Sequence, residues 1–497
     1  MQTDYDVIVV GGGGSGLATA VSAAQHGLNT IILEKQPELG GSTGIAVGTL
    51  TANRTIIQEK AGIQDTLEAH IEDAGMFAPP ETEKRNNNDL RRWFLSHTGD
   101  TLQWLIDMGL TFYGPNPEPP NRVPRMHNVI PGAKAYITIL HAKLVHYGGA
   151  LLTNTPVVDL IQKDKRVIGV CALVNGQRKN FIARRGVVLA AGDYTNSQKL
   201  ISRFKGEQFS GIEGINPHMK GDGHLLAESI GAKLVNMDIT YGPELRFIAP
   251  KRHTFQQLLP SQGPLVRVIS LLMPYIPRFV MNMFLRRLLV TWQHPEDSLF
   301  SDGAILINQK GERFCDEKIS PAREIAIARQ PGKICYILFD QRLVKQYSQW
   351  PNFVSTAPKI AYAYVADYLK LRPDIAVMAN TIKEIANHAN IPQSQLLQTL
   401  EETNKERLTQ GKPLLKDSPW VLLGPAKAYF TTTEGGVAIN KHFQALNKHD
   451  QPIPGLYAVG QNGLGGQILW GHGLHIAWAI TSGRLLGEYL AERSDTH

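Results

Sequence analysis

The C-terminal segment from Gly463 to Leu490 places bulky and titratable side chains among glycines. Trp470 and His472 flank Gly471, so a histidine that can donate or accept a proton lies on a sparsely covered backbone. Glycines in such a loop let the main chain approach a ring or a substrate closely. We expect Trp470 to form a pocket wall and His472 to donate a hydrogen bond to a substrate carbonyl. The alternative is that Trp470 belongs to the core and His472 only caps a helix or stacks on a bound ring.

A second candidate site is the glycine-rich turn near the N-terminus. The segment "DYDVIVVGGGGSGLATAVSAAQHGLNTIILEK" predicts a strand, a turn, a helix and a second strand, which is the order of a βαβ unit. Gly11, Gly13 and Gly16 match G-x-G-x-x-G, and Glu34 follows at the end of the second strand. In this pattern the glycines admit a pyrophosphate at the helix N-terminus, and the acid accepts hydrogen bonds from ribose hydroxyls. The sequence therefore predicts a bound dinucleotide.

Later glycine-rich segments favour a long dinucleotide cofactor over a nicotinamide dinucleotide. "GGSTGIAVGTLTA" follows Glu34 closely and supplies small and hydroxyl side chains for a second contact with a long cofactor. "RRGVVLAAGDYTN" predicts a buried strand that ends near Gly192, and "IPGLYAVGQNGLGG" predicts another short strand entering glycines. No second strand–glycine–helix fingerprint occurs, so no separate nicotinamide site is predicted.

Composition narrows the class of protein. The chain has 497 residues, of which 43% are hydrophobic and 19% are charged, as expected for a globular protein of more than one domain. Its three cysteines, Cys171, Cys315 and Cys335, match no metal, haem or redox spacing, so we expect no metal site and a reducing, cytoplasmic setting. The N-terminus enters a strand pattern at once, and export is therefore not expected.

The net charge of +7 is concentrated around one apolar segment. Residues 264–292 are rich in Leu, Ile, Met and Phe, but arginines and prolines interrupt them too often for a membrane span. After Pro277 the pattern predicts an amphipathic helix with a basic face, which would dock on the cytoplasmic face of a membrane. The alternative is a helix packed on the protein's own core. A nucleic-acid partner is not expected, because the basic run lacks interleaved polar and stacking residues.

In its order of motifs, over roughly residues 4–240 and 302–490, the chain resembles the fumarate reductase and succinate dehydrogenase flavoprotein superfamily, in the branch that contains 3-ketosteroid dehydrogenases. The resemblance implies an α/β fold: a Rossmann-like FAD-binding domain built from both chain ends, 1–238 and 431–497, with an inserted α+β capping domain, 239–430. Covalent flavin in this family uses a histidine within the stretch that is "GGSTG" here, so we expect non-covalent FAD. The predicted FAD contacts are Gly11, Gly13, Gly14, Ser15, Gly16, Glu34, Lys35, Gly41, Ser42, Thr43, Val47, Gly48, Ala190, Gly192, Asp222, Gln461, His475 and Ile476.

The resemblance also implies transfer of hydrogen across a carbon–carbon bond beside a carbonyl. Three differences argue against fumarate as the substrate. The family's "HHTMGG" is "TTTEGG" here, Thr431 to Gly436, and the arginine of its "NRLGGN" falls at Trp470. Pro321 takes the place of the proton-donating arginine, although Arg323 lies two residues away.

In ketosteroid dehydrogenases the loop corresponding to Leu469–Gly473 is approximately Y-P-G-P-G, and its tyrosine and last glycine hold the ketone. Here the loop is L-W-G-H-G, which keeps Gly473. The predicted catalytic residues are His472, Gly473 and Tyr364, with Tyr194, Tyr362 and Arg246 as further candidates. We expect a dehydrogenase or reductase of an apolar ketone such as a 3-ketosteroid, with a quinone or other electron acceptor. The alternatives are a reductase of another enoate or enone, and a flavin-binding electron carrier, against which the long inserted region argues.

Overall fold

The computed structural model of the protein describes residues 3–250, 286–287, 289–291, 293–357 and 361–493. The largest sheet within this described part consists of eight strands: β1 (Asp4–Val10), β2 (Thr30–Leu33), β6 (Ala150–Leu152), β7 (Val157–Lys163), β8 (Arg166–Val174), β9 (Gln177–Leu189), β22 (Gln444–Leu446) and β23 (Pro452–Ala458). It has a parallel centre and the order β22-β23-β9-β1-β2-β6, while β7 and β8 continue it beside β9. This order places a strand from the C-terminal part of the chain among strands from the N-terminal part.

Two helices from opposite ends of the chain pack together over this sheet. The first helix, Gly14–Gln25, is Ala-rich and almost wholly buried, and it lies against the C-terminal helix, Leu474–Glu492. Small residues set the close distance, since a Cβ added to Gly483 would lie only 2.4 Å from the carbonyl oxygen of Ser15. The Ser22 hydroxyl also donates to the Arg484 carbonyl at 2.8 Å. Both chain ends are thereby held in one core.

A second core forms around a six-stranded sheet in the middle of the chain. Its central strand, β19, pairs with four neighbours, and β14 adds to the edge of β15. The six strands are β10 (Glu213–Gly214), β13 (Glu244–Phe247), β14 (Ile305–Ile307), β15 (Cys335–Phe339), β18 (Ala376–Ala379) and β19 (Trp420–Phe430). The two sheets with their helices confirm the predicted α/β class and FAD-binding architecture. The domain limits at residues 238 and 430 stay a prediction.

Several short sheets complete the fold, and one of them joins the two ends of the middle region. β12 (Thr240–Tyr241) pairs with β20 (Thr432–Thr433), so the chain's entry into the middle region lies beside its exit. The other short strands are β3 (Thr49–Thr51), β4 (Thr111–Asn116) and β5 (Met126–Ile130) in one sheet, β11 (Leu234–Val235) with β21 (Gly436–Val437), and β16 (Ser355–Ala357) with β17 (Ala361–Ala363).

The other helices lie between the first and the last helix along the chain. They span Gly41–Ile45, Ile56–Lys60, Leu67–Ala74, Pro80–Glu83, Asn88–Ser96, Thr98–Asp107, Lys134–His146, Gln198–Phe204, Asp222–Ser229, Asp297–Ser301, Ala322–Ala328, Gln341–Gln346, Val365–Leu371, Ile382–Ala389 and Gln393–Thr409. Within the described residues, no helix has the length and apolarity needed to cross a membrane. The amphipathic helix predicted after Pro277, in the segment 264–292, lies almost wholly outside the described residues.

Candidate active site

The glycine turn between β1 and the first helix leaves room for a phosphate. Gly13 caps the helix, and a Cβ added to it would meet only Gly41 and Gly40, at 3.8 and 3.9 Å. Gly11, by contrast, is packed so tightly that a Cβ there would lie 2.5 Å from the Ala190 carbonyl oxygen. The turn is therefore closed on the strand side and open above the helix N-terminus, where unpaired N–H groups and the helix dipole favour an anion.

The acid predicted to bind ribose lies beside this turn. Glu34 is buried at the end of β2, and its carboxylate accepts hydrogen bonds from the backbone N–H groups of Gly12 and Gln36, both at 2.7 Å. Each oxygen keeps a further lone pair for a ribose hydroxyl. The next residue, Lys35, forms an ion pair with Asp222 at 2.6 Å, which links two of the predicted contact segments.

The C-terminal segment joins the same place. The Ala191 N–H donates to the side chain of Asn462 at 2.6 Å, and a Cβ on Gly460 would lie 2.6 Å from Ser15 Oγ. Gln461 donates through Nε2 to the Thr432 hydroxyl at 2.7 Å and to the Thr433 carbonyl. Predicted contacts that are far apart in sequence are thus neighbours.

An apolar strip follows the second glycine cluster. Ile45 and Val47 expose 45% and 56% of their surfaces although both are aliphatic. A flat aromatic ring laid on this strip would cover apolar surface that is otherwise wet. The open phosphate turn, the ribose acid and the apolar strip fit FAD, and the helix Gly41–Ile45 carries no histidine for covalent attachment.

The loop before the C-terminal helix presents His472 with a carboxylate partner. His472 Nδ1 lies 2.5 Å from Glu118 Oε1, and the same oxygen accepts the His472 backbone N–H at 2.8 Å. On the other side, the Thr51 hydroxyl donates to the His472 carbonyl at 2.6 Å. The hydrogen bond to Glu118 raises the pKa of His472 above its ordinary value of 6.5, against the opposing effect of burial. The imidazole side chain is still 64% exposed.

Gly473 is required by the geometry of the same loop. Its φ is +88°, and a Cβ would lie 2.9 Å from the Thr49 carbonyl oxygen and from the Thr51 N–H nitrogen. Only glycine adopts this conformation readily at such close range. Gly473 directly precedes the C-terminal helix, so the helix N-terminus opens beside His472.

A second acid–base group faces the loop from β13. Glu244 Oε2 accepts from both Nε and Nη2 of Arg246, at 3.0 and 2.7 Å, and Arg246 also donates to the Thr431 hydroxyl. Burial acts to raise the pKa of Glu244, but Arg246 and His294 more than offset it, so the pKa is lowered. The pKa of His294 is itself lowered, mainly by burial.

Two aromatic rings bound this region. The rings of Trp470 and Tyr241 meet edge to face with centroids 5.2 Å apart, and burial raises the pKa of Tyr241 to about 12. The hydroxyl therefore stays protonated at neutral pH. Trp470 also packs on the small apolar cluster of Ala78, Ile239 and Ile468.

A third pair involves the predicted flavin contact His475. Its Nε2 lies 2.9 Å from Glu434 Oε1, while the other oxygen of Glu434 accepts the Leu469 N–H at 3.0 Å. Glu434 is completely buried. It belongs to "TTTEGG", so this motif supplies an acid that fixes the Trp470 loop and His475 together.

Other sequence candidates lie elsewhere. Tyr364 caps the N-terminus of the helix Val365–Leu371, and its ring lies under the guanidinium of Arg286. Tyr362 packs in an aromatic group with Trp350 and Phe353. Tyr194 is fully buried and donates to the Met237 carbonyl at 2.7 Å, so it has no free hydroxyl for a substrate.

The acids of the site had no recognisable sequence signal. Glu118 lies between prolines in an irregular loop, and its partner is 354 positions away. Glu434 was visible only as a residue where the family has methionine, and Glu244 only as a neighbour of Arg246. Each becomes identifiable once the fold has placed its partner.

Comparison with known proteins agrees with this geometry. The family described as "FAD binding domain" matches residues 6–263 and 281–467. The NADH:fumarate oxidoreductase of Klebsiella pneumoniae is 26% identical, over 99% of this chain and 48% of that protein. The 3-oxosteroid 1-dehydrogenase of Mycolicibacterium smegmatis is 23% identical, over 92% of this chain and 91% of that protein. The open conformation of a flavocytochrome c3 fumarate reductase aligns with a TM-score of 0.72 at 23% identity, covering 98% of this chain and 78% of that one.

The chain thus spans about half the length of the Klebsiella protein and nearly all of the dehydrogenase. The matched family covers residues 6–263 and 281–467, which include the phosphate turn, Glu34 and Gln461. The chain belongs to the FAD-binding-domain family, and it is an FAD-dependent oxidoreductase of the fumarate reductase and succinate dehydrogenase flavoprotein superfamily.

Proposed function

We propose that the protein adds or removes hydrogen across a carbon–carbon bond next to the carbonyl of an apolar, uncharged ketone, such as a 3-ketosteroid. The observation that carries the proposal is charge balance. Among the described residues of the site, His472 pairs with Glu118, Arg246 with Glu244, and His475 with Glu434. A dicarboxylate needs unbalanced positive charge, whereas an uncharged carbonyl needs only hydrogen-bond donors.

Arg323, two residues after Pro321, does not supply the positive charge that a dicarboxylate would need. Arg323 is 6% exposed, forms ion pairs with Asp297 and Glu324, and donates to the Glu317 carbonyl. Its guanidinium is therefore committed to the second core. This supports an uncharged substrate over fumarate.

FAD, when bound, exchanges a hydride with one carbon of the substrate. In this proposal, the protein's residues hold the carbonyl and manage the proton. In the reductive direction the Nε2–H of protonated His472 and the Gly473 N–H donate to the carbonyl oxygen, where negative charge develops, and the Nε2 proton moves onto that oxygen to give an enol. The enol becomes the ketone by proton exchange with water at the adjacent carbon. In dehydrogenation these steps run in reverse, and neutral Nε2 takes the enol proton. Trp470 and Tyr241 provide apolar walls beside His472. The cofactor contacts predicted from the sequence are proposed as the FAD site.

A second candidate is reduction of another enoate or enone. The observation in its favour is Arg246, whose guanidinium lies near His472 and would bind a carboxylate if Glu244 turned away. The Klebsiella relative acts, by its name, on fumarate. An electron carrier without substrate chemistry is disfavoured, because a carrier needs no paired acid–base groups beside the flavin.

Electron acceptor and location are also proposals. A quinone is a suitable acceptor because the sequence has no second dinucleotide fingerprint. Docking of the segment 264–292 on the cytoplasmic membrane face would bring the site near both quinone and lipid-soluble substrates.

If the charges of the site are balanced, Glu244→Gln should change which ligands the protein binds. Wild-type holoprotein should show a flavin spectral change with a 3-ketosteroid and little with fumarate or succinate. Glu244→Gln should strengthen dicarboxylate binding by roughly tenfold or more, because Arg246 loses its carboxylate partner. Glu81→Gln, which removes a carboxylate that is 84% exposed on the surface, is the matched control. Tight dicarboxylate binding by the wild type would contradict the proposal.

A further inference from the structure

Glu118 makes an unusual double contact with the loop that carries His472. One carboxylate oxygen accepts both the ring Nδ1–H and the backbone N–H of the same residue, at 2.5 and 2.8 Å. The side chain of Glu118 is 8% exposed, so few water molecules compete for these bonds. A single oxygen thereby fixes the position of the main chain and the orientation of the ring.

Glu118 is itself held by a buried ionic cluster. Asn121 lies within 3.5 Å of its second oxygen, and the Asn121 side chain accepts from Arg125 at 2.9 Å. Arg125 is fully buried between Asp65 and Asp73, to which it donates at 2.5 to 2.8 Å. Such a cluster is costly to disturb, because removing one partner leaves a buried charge unpaired. Asn121 thereby links the carboxylate of Glu118 to this buried cluster.

We propose that Glu118 is a positioning residue for His472, holding its ring in the tautomer with the proton on Nδ1 so that Nε2 exchanges the proton with the substrate. The proposal rests on the proposed function, in which His472 serves the substrate carbonyl. In the reductive direction, the Nε2–H bond breaks as the carbonyl oxygen of the substrate takes the proton and becomes an enol hydroxyl. The neutral imidazole left behind keeps its remaining proton on Nδ1, shared with Glu118. In the dehydrogenating direction the enol O–H bond breaks and Nε2 takes the proton back.

Other charged groups also face His472. Arg246 lowers the pKa of His472 and Glu244 raises it, and both belong to β13. His294, before the helix Asp297–Ser301, interacts with the same group. Arg246 and Glu244 are paired with each other and act on the pKa of His472 in opposite directions. The hydrogen bond to Glu118 is the largest effect on the pKa of the ring.

The test is histidine NMR of the holoprotein, labelled with ¹³C and ¹⁵N in histidine. The His472 signal is assigned by its loss in His472→Gln. We expect the wild-type pKa of His472 to exceed 6.5 and the neutral form to be the Nδ1–H tautomer. In Glu118→Gln the pKa should fall by about one to two units, the size of a lost charge-assisted hydrogen bond. Glu81→Gln, on the surface, should leave it unchanged.

Two results would overturn the proposal: a wild-type neutral form protonated on Nε2, or a His472 pKa that is the same in Glu118→Gln as in the wild type. The tautomer needs only the wild type, so the proposal stays testable if Glu118→Gln fails to fold, and Glu118→Asp gives a second variant. The pH profile of substrate reduction should shift by the same amount as the NMR titration. If no ketone reacts with the flavin, the proposed function fails, whereas the NMR result still decides the role of Glu118.

Discussion

At the scale of single residues, two histidines and one arginine of the site each have an acid beside them. A buried histidine without a hydrogen bond to a carboxylate loses its charge, as His70 does: burial and Arg125 lower its pKa to about 3, although Asp65 and Asp73 act to raise it. His472 is different because Glu118 raises its pKa. Each positive or titratable group of the site thus lies beside a carboxylate, and His472 keeps one proton that can move.

His472 should be needed for the reaction and not for folding. We expect His472→Ala to slow flavin reduction by a bound ketone roughly 100- to 1,000-fold, which is what one donor aimed at a developing oxyanion contributes. Stopped-flow absorbance of the flavin measures this rate. His449→Ala, in an exposed turn, should react like the wild type. An unchanged rate in His472→Ala would mean that His472 has only a structural role.

The raised pKa of His472 predicts a direction for the pH dependence. Proton donation to a substrate requires the protonated ring, so the rate of the reductive reaction should be full at low pH. It should fall as pH rises through a pKa above 6.5. Dehydrogenation needs the neutral ring, so its rate should rise as pH rises through the same pKa. Rates of both half-reactions measured across a pH series check this, and a reductive rate that increases with pH would contradict it.

At the scale of elements, the phosphate turn is the feature that sequence predicts best. Strand, glycine turn and helix are adjacent in the chain, so their pattern is local and their packing follows from it. Gly13 has φ −81° and ψ −170°, an extended conformation that any residue adopts, so its role is to leave space. The open volume above it is the evidence that a ligand group belongs there.

Gly13→Val should therefore abolish flavin content without unfolding the protein. The added side chain would occupy the pyrophosphate position, while the nearest protein atoms remain 3.8 Å from its Cβ. Flavin absorbance per protein and circular dichroism measure the two effects. Gly211→Ala, at another site with ordinary contact distances, should stay yellow. Full flavin content in Gly13→Val would show that FAD lies elsewhere.

The same turn predicts how FAD leaves the protein. With no histidine in the helix Gly41–Ile45, acid or heat denaturation should release all flavin into the supernatant. Chromatography of that supernatant identifies the released cofactor as FAD. Flavin that stays with the washed precipitate would mean a covalent bond to some other residue.

At the scale of the whole molecule, the parts of the site that sequence could not predict are the long-range pairs. Glu34 lies next to the glycine turn through one βαβ unit, and the family pattern identifies it. Glu118 and His472 meet only because the sheet β3-β5-β4 and the C-terminal helix share one core. Glu244 reaches the site because β13 pairs with β19. These two strands lie near opposite ends of the middle region of the sequence. No local pattern encodes such contacts.

The position of the molecule in the cell gives a separate prediction. Arg286 and Arg287 are exposed at the end of the basic apolar segment, and each charge near an anionic surface contributes about 1 kcal/mol. The protein should float with liposomes that contain anionic lipid, and salt should weaken the binding. Replacing both arginines by glutamine should reduce flotation. Protein that stays at the bottom of the gradient under all conditions would contradict docking.

The most direct test of the central claim is anaerobic mixing of the oxidised holoprotein with a saturated 3-ketosteroid, with flavin absorbance followed in time. We expect bleaching by one equivalent of ketosteroid, with the unsaturated ketone as product. Reduced holoprotein should be reoxidised by that unsaturated ketone and left reduced by fumarate. Rapid reoxidation by fumarate, with no bleaching by any uncharged ketone, would contradict the account.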